Sequence, residues 1–228
     1  MLATRSTAEE LMDDPSLPAA DYSAVMADLA RVNRVTMAHR PTLGFLARHI
    51  GSAKRFRLLD VGYGEGDMLR TIAKWAQKRG IDAELVGIDL NASSALAARS
   101  ATPSSLNIAF LTGDYATLSG GQFDFIISSL VAHHMTHDQL ISFLQYMSAE
   151  AQRGWFINDL HRHGFAYLGY PLLARLFGWH NIVRRDGQLS IARSYRPAEW
   201  PPILAQASVT NARVFRQFPF RLCVESRP

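Results

Sequence analysis

Residues 58–67 read LLDVGYGEGD, an apolar run that breaks into glycines at 62, 64 and 66. Asp60 stands two residues before the first glycine, and Glu65 and Asp67 flank the last. The spacing is G-x-G-x-G, whereas the dinucleotide fingerprint is G-x-G-x-x-G. That fingerprint seats a pyrophosphate on a helix N-terminus, where backbone N–H groups favour negative charge. Carboxylates at 60, 65 and 67 would repel a pyrophosphate and suit a ligand carrying an ammonium or sulfonium group. A glycine loop alone also describes an ordinary tight turn between strand and helix, so the flanking chain has to decide.

Outward from the loop, short apolar segments alternate with amphipathic ones. Strands are predicted at 56–62 (FRLLDVG), 83–90 (AELVGIDL), 106–114 (LNIAFLTGD), 122–130 (QFDFIISSL) and 154–160 (GWFINDL). Helices are predicted at 67–80, where Met68, Leu69, Ile72, Ala73 and Ala76 share a face, at 91–100 with Asn91 as N-cap, and at 137–151. Such alternation argues for an α/β fold, a doubly wound, mostly parallel sheet. Right-handed crossovers place the loops after the strands along one edge, where ligands bind.

Around this core, of residues 54–160, residues 1–53 read as a helical cap. Val25, Leu29, Val32, Val35 and Met37 recur at helical spacing, and Pro41 can begin a second helix. Residues 161–196 break the alternation and read as a cap insert, apolar at 164–179 (GFAYLGYPLLARLFGW) and ending in a loop at 184–195 (RRDGQLSIARSY). Residues 197–228 supply a last helix and two strands joined around Phe218-Pro219, an antiparallel pair closing a parallel sheet. The whole is expected to be a single domain.

Asp89 ends the second strand, 23 positions after Gly66, where an acid can accept both ribose hydroxyls. Asp114 and Tyr115 stand at the end of the third, placed for an adenine amine and its ring. Acids at three successive strand ends resemble the class I S-adenosylmethionine-dependent methyltransferases: LLDVGYGEGD is similar to their first motif, VGIDLN and TGDY to the ribose and adenine strand ends, and FDFIISS to the fourth-strand motif. The resemblance covers roughly residues 54–228 and implies a Rossmann-like seven-stranded sheet with a reversed C-terminal strand. It implies S-adenosylmethionine as cofactor and S-adenosylhomocysteine as product. By the same resemblance, Asp60 anchors the loop and holds the methionine amine. Gly62, Tyr63 and Gly64 line the methionine end, and Gly66 allows close helix packing. Asp89 holds the ribose with Leu90 against adenine, Asp114 takes the adenine amine beside Tyr115, and Ser129 closes the fourth strand. Tyr63 departs from the family, where many members have a small or polar residue.

Methyl transfer to a phenol benefits from a general base, and histidine suits neutral pH. His133 and His134 follow the fourth strand; Asn158, Asp159, His161 and His163 end or follow the fifth. His134 is the first candidate for the base, then His133, then His161; a structural hydrogen-bonding role is the bland reading of each. An Asp159–histidine pair would fix a ring tautomer. No metal is expected, since few acids accompany these histidines. Aromatic and aliphatic residues of the insert can wall a pocket for a flat or lipidic acceptor, where Arg193, Ser194 and Tyr195 can orient a polar group.

The expected reaction is methylation of a small aromatic metabolite of phenol or quinol type, O-methylation favoured and C-methylation of an activated ring the nearest variant. RNA methylation rests only on the net charge of +4, whose basic residues are scattered, which argues against a nucleic-acid partner. A nicotinamide-dependent oxidoreductase is opposed by the acidic loop, and a non-catalytic binder would need a blocked acceptor pocket. NDLH at 158–161 stands where an NPPY-type tetrad would mark base-amine or glutamine substrates. The lone Cys223 fits a reducing compartment. The polar, acidic N-terminus fits a cytoplasmic protein. Arg175 interrupts 164–179, which argues against stable membrane insertion and leaves interfacial contact open. The oligomeric state is left open between monomer and homodimer.

Overall fold

A computed structural model describes residues 2–14 and 16–227; Met1, Pro15 and Pro228 lie outside the described residues. Seven strands form one sheet in the order β3-β2-β1-β4-β5-β7-β6. They are β1 (Arg55–Val61), β2 (Asp82–Asp89), β3 (Ile108–Thr112), β4 (Phe123–Ser129), β5 (Ala151–Leu160), β6 (Ala212–Gln217) and β7 (Arg221–Ser226). All adjacent pairs from β3 to β5 are parallel, and β7 runs antiparallel to both β5 and β6. The expected reversed strand is therefore β7, reached from β6 through a turn that holds a cis Phe218–Pro219 bond.

Strand side chains alternate faces, so neighbours in sequence enter different cores. Leu59, Val61, Val86, Ile88 and Ile126 pack with Leu140, Phe143 and Leu144 of α5 (His137–Glu150) and with Trp200, Ile203 and Leu204 of α8 (Trp200–Gln206). Leu58, Leu85, Phe125, Phe156 and Cys223 pack on the other face. Their partners there come from α2 (Arg40–His49), α3 (Asp67–Gln77) and α4 (Ala92–Ala101). Phe45 of α2 stacks on Phe156 with ring centroids 4.9 Å apart. Asn91 caps α4 as expected, accepting from Ser93 N at 2.9 Å.

The first helix, α1 (Ala19–Val35), ends before Met37, which turns the chain at φ 53° into α2. Val25 and Val32 of α1 bury against Ala174, Trp179 and Val183 of the insert. The insert holds two helices, α6 (Gly164–Leu176) and α7 (Asn181–Arg193). The loop expected at 184–195 is mostly helix, and the cause is packing. Asp-Gly at 186–187 reads as a turn, yet a Cβ at Gly187 would overlap the Tyr170 ring of α6. Gly187 is there to let two helices approach. Asp186 is buried and accepts from Leu11 N at 3.1 Å and Met12 N at 2.9 Å, which ties down the N-terminal segment. Among the described residues no helix is long and apolar enough to cross a membrane.

Candidate active site

The ends of β1, β2 and β4 open onto a cavity of about 400 Å³. The glycine loop forms its floor. Gly62, Gly64 and Gly66 take φ of 77°, 55° and 77°, a region that side chains disfavour. A Cβ at Gly64 would lie 2.6 Å from Met26 Cε, and one at Gly66 2.8 Å from Phe110 Cε1. The loop therefore needs glycine for its backbone angles, and at Gly66 also for close approach to the Phe110 ring.

The acids around the loop are not equivalent. Glu65 pairs with Arg70 at 3.0 Å. Burial pushes Asp67 up, but hydrogen bonds from His39 Nε2 at 2.8 Å and Asn33 Nδ2 at 3.0 Å outweigh it and hold the carboxyl below its usual range. Asp60 is 1% exposed and its Oδ1 has no hydrogen-bond partner. Burial, then the Asp67 and Asp89 carboxylates, push Asp60 well above the usual carboxylate range. Only a cation or hydrogen-bond donor brought to Oδ1 would favour the charged form of this acid. Arg221, buried in β7, lines the same cavity; its Nε and Nη1 lack partners and burial lowers its pKa. The sequence reading missed Arg221, which there is only one more strand residue.

Asp89 Oδ2 accepts from Gly64 N at 2.9 Å and Oδ1 from Asn91 N at 2.9 Å, while burial raises its pKa against those bonds. Leu90, 77% exposed, lies beside it in the lining. Gly113, Tyr115 and Ser129 line the cavity, and the Ser129 hydroxyl lacks a partner. Asp114 itself is exposed, does not line the cavity, and caps a short turn through Oδ1 to Ala116 N at 2.8 Å. The Tyr115 ring leans on Phe143 and Tyr146 at 4.9 and 4.7 Å.

Tyr63, the departure from the family pattern, has a structural answer. Its ring packs on Phe110 at 5.1 Å and lies over Gly87 of β2, where a Cβ would come within 2.6 Å of Tyr63 Cδ1. Burial pushes its hydroxyl up to about 12. The glycine in VGIDL is the other half of the tyrosine in VGYGEG. Gly87→Val is expected to destabilise the protein by ~1–3 kcal/mol through overpacking, read by urea denaturation. A Tyr63→Ala change in the same chain should recover part of that loss; an unshifted midpoint in the single variant would refute the pairing.

A second cavity, of about 280 Å³, adjoins the first. Leu160, Phe165, Tyr170, Leu173, Ile191 and Phe220 give it an apolar wall. Both linings include Leu130 and His134. Leu130 takes φ 62° directly after β4, an unfavourable angle for leucine that turns residues 131–134 at the strand end.

The histidines separate into distinct environments. His133 is buried, with Nδ1 2.7 Å from Asp159 Oδ1 and its backbone N donating to Asp159 Oδ2 at 2.9 Å. This is the Asp159–histidine pair that the sequence left without a partner. Burial pushes Asp159 up, but His133 outweighs it and holds the acid low. His134 is partly exposed, with Nδ1 2.9 Å from Asp13 Oδ2 and Nε2 3.9 Å from Glu10 Oε2. Burial lowers the His134 pKa, but the Asp13 hydrogen bond and the Glu10 charge raise it further, to a net position above the usual value. His161 lines neither cavity. Burial, then His163 and nearby arginines, lower its pKa.

The N-terminal segment completes the site, and no periodicity signals it. Glu10 is buried between His133, His134 and Ser190, which donates to Glu10 Oε2 at 2.9 Å; burial raises the Glu10 pKa. Arg5 Nη2 donates to the carbonyls of His133 at 2.6 Å and Met135 at 3.0 Å, and its guanidinium lies 4.2 Å above the Tyr195 ring. Among the described residues, Glu10, His133 and His134 are the group whose ligand atoms lie close enough to share a metal ion. Arg193 Nη1 stands 3.7 Å from Glu10 Oε1, so a cation already faces that carboxylate.

Residues 58–154 match the family model described as a methyltransferase domain. A search of curated proteins finds no match. Among solved structures, a SAM-dependent methyltransferase from Aquifex aeolicus aligns at TM-score 0.63 and 18% identity, over 92% of this chain and 98% of that one. Human N-acetylserotonin methyltransferase in complex with SAM aligns at 0.65 and 15%, over 92% and 56%. The plantazolicin methyltransferase BamL, in complex with a triazolic desmethylPZN analog and SAH, aligns at 0.63 and 16%, over 88% and 72%. At these identities the likeness is one of fold. Residues 58–154 thus carry a methyltransferase domain, and the chain as a whole has a fold shared with SAM-dependent methyltransferases.

Proposed function

We propose that the protein methylates a small, apolar aromatic acceptor of phenol or quinol type, on oxygen, with C-methylation of an activated ring the nearest variant. The observation that carries this reading is the junction of the two cavities at His134, the one histidine in both linings. The names of two neighbours of like fold, N-acetylserotonin and plantazolicin methyltransferase, support a small-molecule acceptor.

In this reading the first cavity holds the cofactor. Its methionine end is a zwitterion, and the buried, unpartnered atoms of Asp60 and Arg221 fit its ammonium and carboxylate respectively. Gly62, Tyr63 and Gly64 line that end, and Gly66 lets α3 pack close. Asp89 uses its remaining lone pairs on the ribose hydroxyls, with Leu90 against the adenine. Gly113 and Tyr115, which line the cavity, serve the base, with the exposed Asp114 at the rim between them. Ser129, whose buried hydroxyl has no partner, lines the same space.

S-adenosylmethionine supplies a methyl group on a sulfonium, activated for in-line displacement. The chain's own work is alignment, exclusion of water and handling of one proton. The apolar wall of the second cavity holds the acceptor ring. Met12, whose N donates to Asp186, lines both cavities, and Asp13 lines the first. His134, its Nδ1 held by Asp13, takes the hydroxyl proton on Nε2 as the new C–O bond forms. His133, locked between Asp159 and Glu10, positions the loop that carries His134.

The test is a screen of phenols and quinols with isotope-labelled S-adenosylmethionine, the products read by NMR. A labelled methoxy carbon is the expected result. A labelled ring methyl would move the reaction to carbon, and transfer to RNA alone would overturn the proposal.

A further inference from the structure

Helix α6 is apolar on two faces. Ala166, Gly169, Tyr170 and Leu173 line the second cavity. Phe165, Leu168, Leu172 and Leu176, spaced by three and four residues and so on one face, are 77%, 68%, 67% and 79% exposed. A helix of a water-soluble fold normally turns polar residues to solvent, and a continuous exposed apolar stripe marks an interaction surface.

The patch extends beyond the helix. Phe177 follows α6, and Phe218 and Phe220 are exposed in the β6–β7 turn. The His163 ring joins the two parts, with centroids 5.6 Å from Phe165 and 5.0 Å from Phe220. Phe165 and Phe220 also line the second cavity, so the cavity borders the patch.

The charges in the same chain segments have one sign. Residues 161–185 contain no aspartate or glutamate but four arginines, and residues 200–224 contain no aspartate or glutamate but three. Arg162 is engaged by Glu199 and Arg221 is buried, which leaves Arg175, Arg185 and Arg216 among those at the surface. Arg175 precedes Leu176 of the stripe, and Arg216 acts on His161 beside the His163 ring, so positive charge accompanies the apolar side chains and complements a surface that is greasy beneath and negative on top.

We propose that this face docks on an anionic lipid bilayer, with α6 lying in the interface. Phe165, Leu168, Leu172 and Leu176 enter the acyl boundary, and the arginines meet headgroup phosphates. An apolar acceptor dissolved in the bilayer then reaches the second cavity without crossing water. The docking itself does not rest on the methyl-transfer reading.

Flotation of the full chain with vesicles of phosphatidylcholine, with and without phosphatidylglycerol, tests it. The protein should float with the anionic vesicles and lose binding as salt rises. The triple variant Leu168→Ser/Leu172→Ser/Leu176→Ser should bind them ~10-fold more weakly or worse. These side chains are exposed and lie outside both cavity linings, so the variant should keep its affinity for S-adenosylhomocysteine. Arg175→Glu/Arg185→Glu should abolish the preference for phosphatidylglycerol. Wild-type protein that stays with neither vesicle, or a triple variant that floats like wild type, overturns the proposal. So does a wild-type dimer in analytical ultracentrifugation that the triple variant converts to monomer, which would assign the face to a second copy. Failure of both wild type and variant to bind S-adenosylhomocysteine would strike the methyltransferase reading and leave the vesicle result standing.

Discussion

Asp60→Asn is expected to weaken S-adenosylmethionine binding by ~10- to 100-fold and, at the same time, to raise the melting temperature of the ligand-free protein. The two effects have one origin. The carboxyl is buried, its Oδ1 is unpartnered, and burial with the neighbouring Asp67 and Asp89 charges holds its pKa well up. A charge-assisted hydrogen bond to a ligand ammonium is worth ~1.5–3 kcal/mol, which gives the loss in affinity. Without ligand the sign reverses. A carboxyl whose folded pKa exceeds its unfolded value of about 3.9 binds its proton more tightly in the folded state. The stability it contributes is full below the unfolded value and falls as pH climbs through the folded one. Asparagine keeps the shape and removes that fall, so the apo variant should melt above apo wild type at neutral pH, the gap narrowing toward acid. Calorimetric titration and ligand-free melts across pH provide both readings. Unchanged affinity would take Asp60 away from the methionine end. A lower apo melting temperature at neutral pH would mean that the carboxylate has a partner without ligand.

The parts of this molecule that were legible in the sequence are those governed by periodicity and by local turn chemistry. Leu58 and Leu59 enter opposite cores because strand side chains alternate, and that alternation is written in the chain. The glycine loop and the acid ending β2 were legible because an open α/β sheet puts its ligand edge at strand ends. Features that depend on a distant partner were not. Gly187 carries the same letter whether it serves a turn or a helix contact, and only the Tyr170 ring distinguishes them. Gly87 and Tyr63 explain each other across β1 and β2, yet neither is unusual alone. Glu10 and Asp13 sit in a segment without pattern and gain meaning only where Asp186 pins the chain beside the histidines. Asp159 could be expected to hold a histidine, but the choice of His133 over its neighbours required the fold.

That choice separates the two adjacent histidines, and it makes His134→Ala the change with the largest expected effect on rate. Turnover should fall ~10²-fold or more if His134 is the general base, while affinity for S-adenosylhomocysteine persists, because no cofactor contact is removed in the proposed arrangement. Wild-type kcat/KM should report the base directly. Burial lowers the His134 pKa, and the Asp13 hydrogen bond with the Glu10 charge raises it by more. A base acts in its neutral form, so activity should rise with pH through a midpoint above the ordinary histidine value of about 6.5. Asp13→Asn removes one carboxylate and should move that midpoint toward acid. His133→Ala tests the other assignment. It removes the imidazole from the buried Asp159 carboxylate and leaves only backbone donors, a break that costs up to ~3–5 kcal/mol, so its lost activity should come with an early urea transition, whereas His134→Ala should unfold near wild type. A His134→Ala protein that turns over normally, with an unshifted pH midpoint, would leave proton removal to solvent or to another group. The junction of the cavities would then serve alignment alone.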